Sequence, residues 1–374
     1  MHKGKKFYVI AGEASGDLHA SNLMHAMLDV DATLDFRYWG GDKMMEVQPG
    51  RVKHIKELAF MGFLEVIMNL GTILKNIKFC KKDILEYKPD ALILVDYPGF
   101  NLRIAEWASA QGIRVIYYIS PQVWAWKQKR VHKIKVLVDD MYVILPFEKE
   151  FYKKFDYEVN YVGHPLLDEI SKHGYDEAMK IDFYERYQLD NRPIIAVLPG
   201  SRRQEVSKKL PIMLDAVKSF TDYQIVIAGA PSLDEAFYAP FNNDNVKMIS
   251  NETYQLLACS SVAVVTSGTA TLETALFKVP EVVCYKSSGF SYAIAKRLVK
   301  VKYISLVNLI MDKEVVVELI QSECNENAIK AEVERLLSDE IYRKGLADNY
   351  NELEKMLGGG GASKKVAQSL LSKL

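Results

Sequence analysis

Short apolar runs alternate with helical patterns along almost the whole chain. In the first half, residues 7–11, 34–39, 91–96, 114–119, 141–145 and 159–162 read as strands; in the second half, residues 194–198, 224–228, 246–249, 262–265 and 281–285 do so. Residues 18–28 and 101–111 place apolar positions at helical spacing between them. The strands are apolar throughout and do not alternate, which marks burial on both faces. The pattern therefore predicts an α/β fold of mostly parallel sheets covered by helices. A polar connector over 166–192 divides the halves, so the expected domains are 1–165 and 166–344. Residues 325–374 read as helical, split by Gly358–Gly361. The stretch 345–374 is expected to form helices packing back on the first domain.

Composition supports two domains, because 374 residues exceed one ordinary core. Lys plus Arg and Asp plus Glu are 48 each, so no global field favours nucleic acid as a partner. The cysteines (Cys80, Cys259, Cys284, Cys324) are scattered, which argues against zinc and disulfides and for a reducing cytosol. No apolar run approaches the ~18 residues of a membrane span, and the start shows no export signal. One insertion breaks the alternation. Segment 58–68 is apolar (L-A-F-M-G-F-L-E-V-I-M) and is flanked by Lys53, Lys56, Lys75, Lys78, Lys81 and Lys82. It reads as a helix on a bilayer or against acyl chains, or else as a buried helix with a solvated neighbour.

In a parallel sheet the chemistry sits at the carboxyl ends of the strands. Two second-half strands end in small-residue turns that open helices: Leu198-Pro199-Gly200-Ser201-Arg202, and Thr266-Ser267-Gly268-Thr269 with Glu273 one turn later. Glycine admits close backbone approach, and the first helical N–H groups hold anions. Arg202 adds a bidentate cation and Glu273 a grip for a ribose diol, so these turns suggest a nucleotide diphosphate site; Ser or Thr serving only as N-cap is the plainer reading. In the first half, Gly12-Glu13-Ala14-Ser15-Gly16-Asp17 is too acidic to cradle a phosphate. Glu13 suits sugar hydroxyls or a proton, and Asp17 suits a cap for its own helix. Asp96, at the mouth of an apolar strand, is a general-base candidate, or else a turn-forming residue. Trp124 and Trp126 stack on a sugar, meet lipid, or pack. His164 is a hinge or cap, or faces substrates. Asn308, Glu318 and Gln321 are polar groups in apolar surroundings. Asp29-Val30-Asp31 matches D-x-D but reads as a solvent-facing helix end, so no metal site is expected.

Several motifs together resemble the lipid A disaccharide synthase family, inverting glycosyltransferases of the GT-B fold. They are G-E-A-S-G-D (12–17), V-D-Y-P-G-F-N (95–101), S-P-Q-V-W-A-W (120–126), G-H-P (163–165), L-P-G-S-R (198–202), T-S-G-T-A-T-L-E (266–273), N-L-I (308–310) and E-L-I-Q (318–321). The resemblance implies two Rossmann-like domains with sheets facing a central cleft. It implies transfer of a 2,3-diacylglucosamine from UDP to 2,3-diacylglucosamine 1-phosphate, giving the β-1,6-linked disaccharide. No cofactor is implied, the UDP-sugar being a substrate. It places the protein at the cytoplasmic face of the inner membrane, with segment 58–68 and nearby lysines on the bilayer, and is compatible with a homodimer. Asp96 matches the family's base, with Glu13 as second choice. Gly200, Ser201, Arg202, Ser267, Gly268, Thr269, Glu273, Asn308, Glu318 and Gln321 fall on the nucleotide side. Val315-Val316-Val317 stands where a proline is expected. The competing readings are a UDP-N-acetylglucosamine 2-epimerase or other UDP-sugar enzyme on the same scaffold, and a non-catalytic sugar-nucleotide or lipid-binding protein.

Overall fold

The computed structural model describes residues 4–58, 70–172, 174–230, 233–243, 245–289, 292 and 301–374. The chain divides into two compact units, Met1–Asp168 with Leu357–Leu374, and Glu169–Met356. Segment 58–68 lies outside the described residues except for Leu58, which is buried.

The first unit is built on a seven-stranded sheet: β1 (Lys6–Ala11), β2 (Asp35–Gly40), β3 (Arg51–His54), β4 (Ala91–Val95), β5 (Arg114–Tyr118), β6 (Asp140–Val143) and β7 (Asn160–Tyr161). Its order is β3-β2-β1-β4-β5-β6-β7, and every pairing is parallel. The apolar runs explain the centre. All five residues of β4 are buried, as are those of β1 after Lys6. Strand β3 (Arg-Val-Lys-His) escaped the sequence reading because an edge strand has half-exposed residues and no apolar run.

The second unit repeats the scheme with β8 (Ile194–Leu198), β9 (Gln224–Gly229), β10 (Val246–Ser250), β11 (Ser260–Thr266), β12 (Glu281–Tyr285) and β13 (Val317–Ile320), in the order β10-β9-β8-β11-β12-β13. These pairings are parallel too. Residues 345–356 belong to one helix, Glu340–Met356, which the second unit retains by burying Leu346, Tyr350 and Leu353. The chain returns to the first unit only at Leu357. Its last helix, Ala362–Leu371, packs on the first helix, Ala14–Val30. Around it the His164 N–H donates to the Leu357 carbonyl (3.1 Å), Tyr142 meets Ser369 (3.0 Å), and Lys373 pairs with Asp140 (2.6 Å).

Both orders place strands from the two directions of winding side by side at one point: β1 beside β4 in the first unit, β8 beside β11 in the second. Such a switch point leaves a crevice at the carboxyl edge because the flanking connections diverge.

Candidate functional site

At the first switch point, β1 runs into Gly12-Glu13 and β4 into Asp96-Tyr97. Asp96 and Tyr97 both lie in the left-handed region, with φ of 45° and 48°. That conformation costs a non-glycine residue energy, so something must hold it. The Asp96 N–H donates to the Tyr118 carbonyl (3.1 Å). Its own carbonyl accepts from the Tyr117 hydroxyl (2.6 Å) and the Asn101 amide (2.8 Å). Tyr97 caps the helix Pro98–Ala110, its ring stacks on Phe100, and its hydroxyl donates to the Leu58 carbonyl (3.2 Å). Gly12 lies under that ring: a Cβ there would sit 2.3 Å from Tyr97 Cγ. The glycine opening G-E-A-S-G-D is thus required by Tyr97 rather than by a phosphate.

With its backbone clamped, the Asp96 carboxyl is pushed up to about 7, chiefly by burial and secondly by the negative charge of Glu13. A carboxylate poised near neutrality suits proton transfer at neutral pH. Glu13 itself is the N-cap residue of Ala14–Val30 and makes no side-chain cap bond. Asp17 does not cap its own helix. It lies inside that helix, buried, and its carboxylate accepts from the N–H groups of Gly41 (2.6 Å), Lys43 (3.1 Å) and Met44 (3.3 Å), capping the helix Asp42–Val47.

The S-P-Q-V-W-A-W loop is held from beneath. Buried Glu148 accepts from the Ser120 hydroxyl (2.7 Å) and from the Leu145 and Ile144 N–H groups (2.9 and 3.2 Å). Trp124 is buried edge-on against Phe147, whereas Trp126 is exposed with the Lys127 ammonium 4.3 Å from its ring centre. His164 is buried near His19, and desolvation drives its pKa down to about 3, so it is neutral; its Nδ1 accepts from the Leu166 N–H (3.2 Å). Asp31, the end of the D-x-D match, turns back on Thr33.

At the second switch point the two glycine turns meet. Gly200 has φ of 109°, and a Cβ there would lie 3.1 Å from Thr266 Cγ2, so the turns touch across β8 and β11. Gly200-Ser201-Arg202 opens the helix Arg203–Val217, and Gly268 is the N-cap of Thr269–Leu276. Nothing lies within 4 Å of the Gly268 Cβ position. Arg202 is exposed and pairs loosely with Glu205 (3.3 Å). Lys209 was not read from the sequence. It is buried one turn beyond Glu205, and its ammonium donates to the Thr266 hydroxyl. A cation two turns inside an apolar helix face was the available signal. Ser267 is fixed by its N–H to the Cys284 carbonyl (3.2 Å) and its hydroxyl to the Ile304 carbonyl (2.8 Å). Glu273 accepts from the Tyr254 hydroxyl (3.2 Å), and burial pushes its carboxyl up to about 7.

Asn308 and Glu318 are brought together as a clamp. The Glu318 carboxylate accepts from the Ile304 and Ser305 N–H groups (both 2.9 Å), the Ser305 hydroxyl (2.7 Å) and the Asn308 amide (2.9 Å). Asn308 Oδ1 accepts from the Val315 and Val316 N–H groups (2.7 and 3.0 Å). A proline at either position would lack its N–H. Gln321, at φ of 54°, holds Ser287 through its side-chain amide. These residues shape the loop beside the glycine turn. Among the described residues, no group of three or more His, Cys, Asp or Glu side chains could hold a metal ion.

Two parallel sheets, each with helices on both faces and one switch point, make a two-domain α/β fold of the GT-B type, and solved structures share it. The Neisseria meningitidis UDP-GlcNAc 2-epimerase bound to UDP-GlcNAc matches with a TM-score of 0.67 at 15% identity, covering 98% of this chain and 100% of that one. The glycotransferase of kitacinnamycin matches with a TM-score of 0.67 at 13% identity, covering 99% of each. The chain itself belongs to the lipid-A-disaccharide synthetase family, whose model matches residues 7–368. Relatives named lipid-A-disaccharide synthase include those of Geobacter metallireducens (38% identical; 99% of this chain, 97% of that), Syntrophus aciditrophicus (39%; 98% and 97%) and Coxiella burnetii (35%; 97% and 97%). It is a glycosyltransferase of lipid A biosynthesis.

Proposed function

We propose that the chain transfers 2,3-diacylglucosamine from UDP to 2,3-diacylglucosamine 1-phosphate, forming the β-1,6-linked disaccharide 1-phosphate and releasing UDP. The observation that carries this reading is the family match over almost the entire chain, which includes both switch points. Asp96 takes the proton from the acceptor hydroxyl as it attacks the anomeric carbon from the face opposite UDP, so the configuration inverts. The charge gathering on the departing diphosphate falls to Arg202 and to the helix N–H groups after Gly200 and Gly268. Glu273 grips the ribose. We assign the reaction no cofactor and no metal ion.

Both substrates carry acyl chains, so we place the enzyme on the inner face of the inner membrane. The helix Leu70–Tyr87 supports this: Leu74, Phe79 and Leu85 are exposed on it beside Lys75, Lys78 and Lys82. Among the described residues, no helix is long and apolar enough to cross a membrane.

The test is mass spectrometry of purified protein with both lipid substrates and added chelator. Disaccharide 1-phosphate plus UDP is expected. Absence of product while UDP still binds would move the reading to the epimerases on the same fold, checked with UDP-N-acetylglucosamine.

A further inference from the structure

Glu273 is the residue assigned above to the ribose, and the next inference rests on that reading. Its carboxylate has a specific partner in the second unit. Tyr254 lies near the start of the helix Thr253–Cys259, 19 residues earlier in the chain, and its hydroxyl donates to Glu273 Oε1 at 3.2 Å. The Tyr254 ring packs on Phe277 at 5.6 Å between centres, and Phe277 in turn meets Tyr175 edge-on at 4.9 Å. The phenol is therefore braced on its apolar side and has its hydroxyl pointed at a single carboxylate oxygen.

We propose that Tyr254 is a positioning residue for the nucleotide: it pins Glu273 by Oε1 and so presents Oε2 to the ribose diol. A glutamate has three rotatable side-chain bonds. Fixing one oxygen removes most of that freedom before the ligand arrives, which lowers the entropic cost of binding. The donated hydrogen bond also favours the charged carboxylate over the neutral acid. A charged carboxylate accepts from both hydroxyls of a vicinal diol, whereas the acid accepts less well. Tyr254 thus sets both the geometry and the protonation of the grip. The other titratable groups near the pair are Tyr175 and Glu169, with Glu169 neutralised by Lys172 at 2.8 Å. Glu252, two residues before Tyr254, is held by Arg186.

The Glu273 carboxyl, raised to about 7 by burial, gives the proposal a readout that a merely structural tyrosine would not move. The measured quantity is the difference in calorimetric affinity between UDP and 2′-deoxy-UDP across pH 5.5–9, in which phosphate ionisation cancels. In the wild type this advantage is expected to fall as pH drops through about 7. In Tyr254→Phe the fall should come at higher pH, because the donor that stabilised the carboxylate is gone. At pH 7 the UDP affinity should drop about three- to tenfold, and KM for the donor should rise with little change in kcat. In a Glu273→Gln background, Tyr254→Phe should have no further effect on the diol advantage. Replacing Tyr254 with 3-fluorotyrosine, a stronger donor of the same shape, should move the fall to lower pH.

An unshifted profile in both Tyr254 variants, or an equal loss in the Glu273→Gln background, overturns the role of Tyr254 alone. A Glu273→Gln enzyme that keeps the full diol advantage overturns the ribose reading itself, and the inference with it.

Discussion

The two units share a strand order around their switch points and gather opposite charge there. At β1/β4 the switch point carries two carboxylates, Glu13 and Asp96, with the backbone of Asp96 and Tyr97 held in a left-handed conformation by Tyr117, Tyr118 and Asn101. At β8/β11 it carries two glycine turns, two helix N-termini, the exposed Arg202 and the buried Lys209. The first raises the pKa of an acid toward neutrality, which suits the base we propose there. The second gathers partial and full positive charge, which suits an anion. Sheet order supplies the crevice in each case, and a few residues at the strand ends decide what it does.

The sharpest way to break this comparison is Asp96→Asn. Turnover should fall by about 10²–10⁴-fold while UDP affinity in calorimetry stays unchanged; retained turnover would remove Asp96 as base. On the other side, Arg202→Ala should weaken UDP binding by about 1.5–3 kcal/mol, the range for a hydrogen bond to a charged group. An unaltered isotherm would strip the second switch point of its arginine.

Glu281 is a control, since its carboxyl is buried and strongly raised by desolvation but sits at the start of β12, away from the switch-point turns. Its folded pKa lies above its unfolded value, so its contribution is present at low pH and is lost as pH rises through the raised pKa. Glu281→Gln should therefore leave turnover alone and stabilise the protein by about 1–2 kcal/mol at pH 8 but not at pH 4, read from denaturant midpoints. Destabilisation at pH 8 would show that the carboxyl has a partner worth keeping.

The smallest effect should come from Glu13→Gln. Removing the second cause of the raised Asp96 pKa moves the acid limb of kcat/KM to lower pH, leaving the rate at pH 8 within a few-fold of wild type. Near-complete loss of turnover would transfer the role of base from Asp96 to Glu13.

Much of this was legible in the chain because apolar runs and glycine turns are local signals. The central strands, the two turns and the acid at the end of β4 all announce themselves within a few residues. The edge strand β3 did not, since its half-exposed residues carry no apolar run, and neither did β13, four residues of Val-Glu-Leu-Ile in which the glutamate draws the eye as a polar group. Partnerships across long separations were also out of reach. Asp17 looks like a cap for the helix that contains it, yet the N–H groups it satisfies are 24 to 27 residues away. Asn308 and Glu318 read as isolated polar residues until the fold brings them to one loop. Tyr254 gave no signal at all, because a tyrosine in a short helix is most simply core.

The route of the chain through its two units has a consequence for biosynthesis. The first unit is interrupted after Asp168 and resumes only at Leu357, so its sheet is translated long before the helix that covers Ala14–Val30. On the ribosome, the whole of Glu169–Met356 emerges while that face of the first helix has no cover. The second unit has the means to fold as one uninterrupted piece, whereas the first must wait for the final 18 residues, Leu357–Leu374, to seal it.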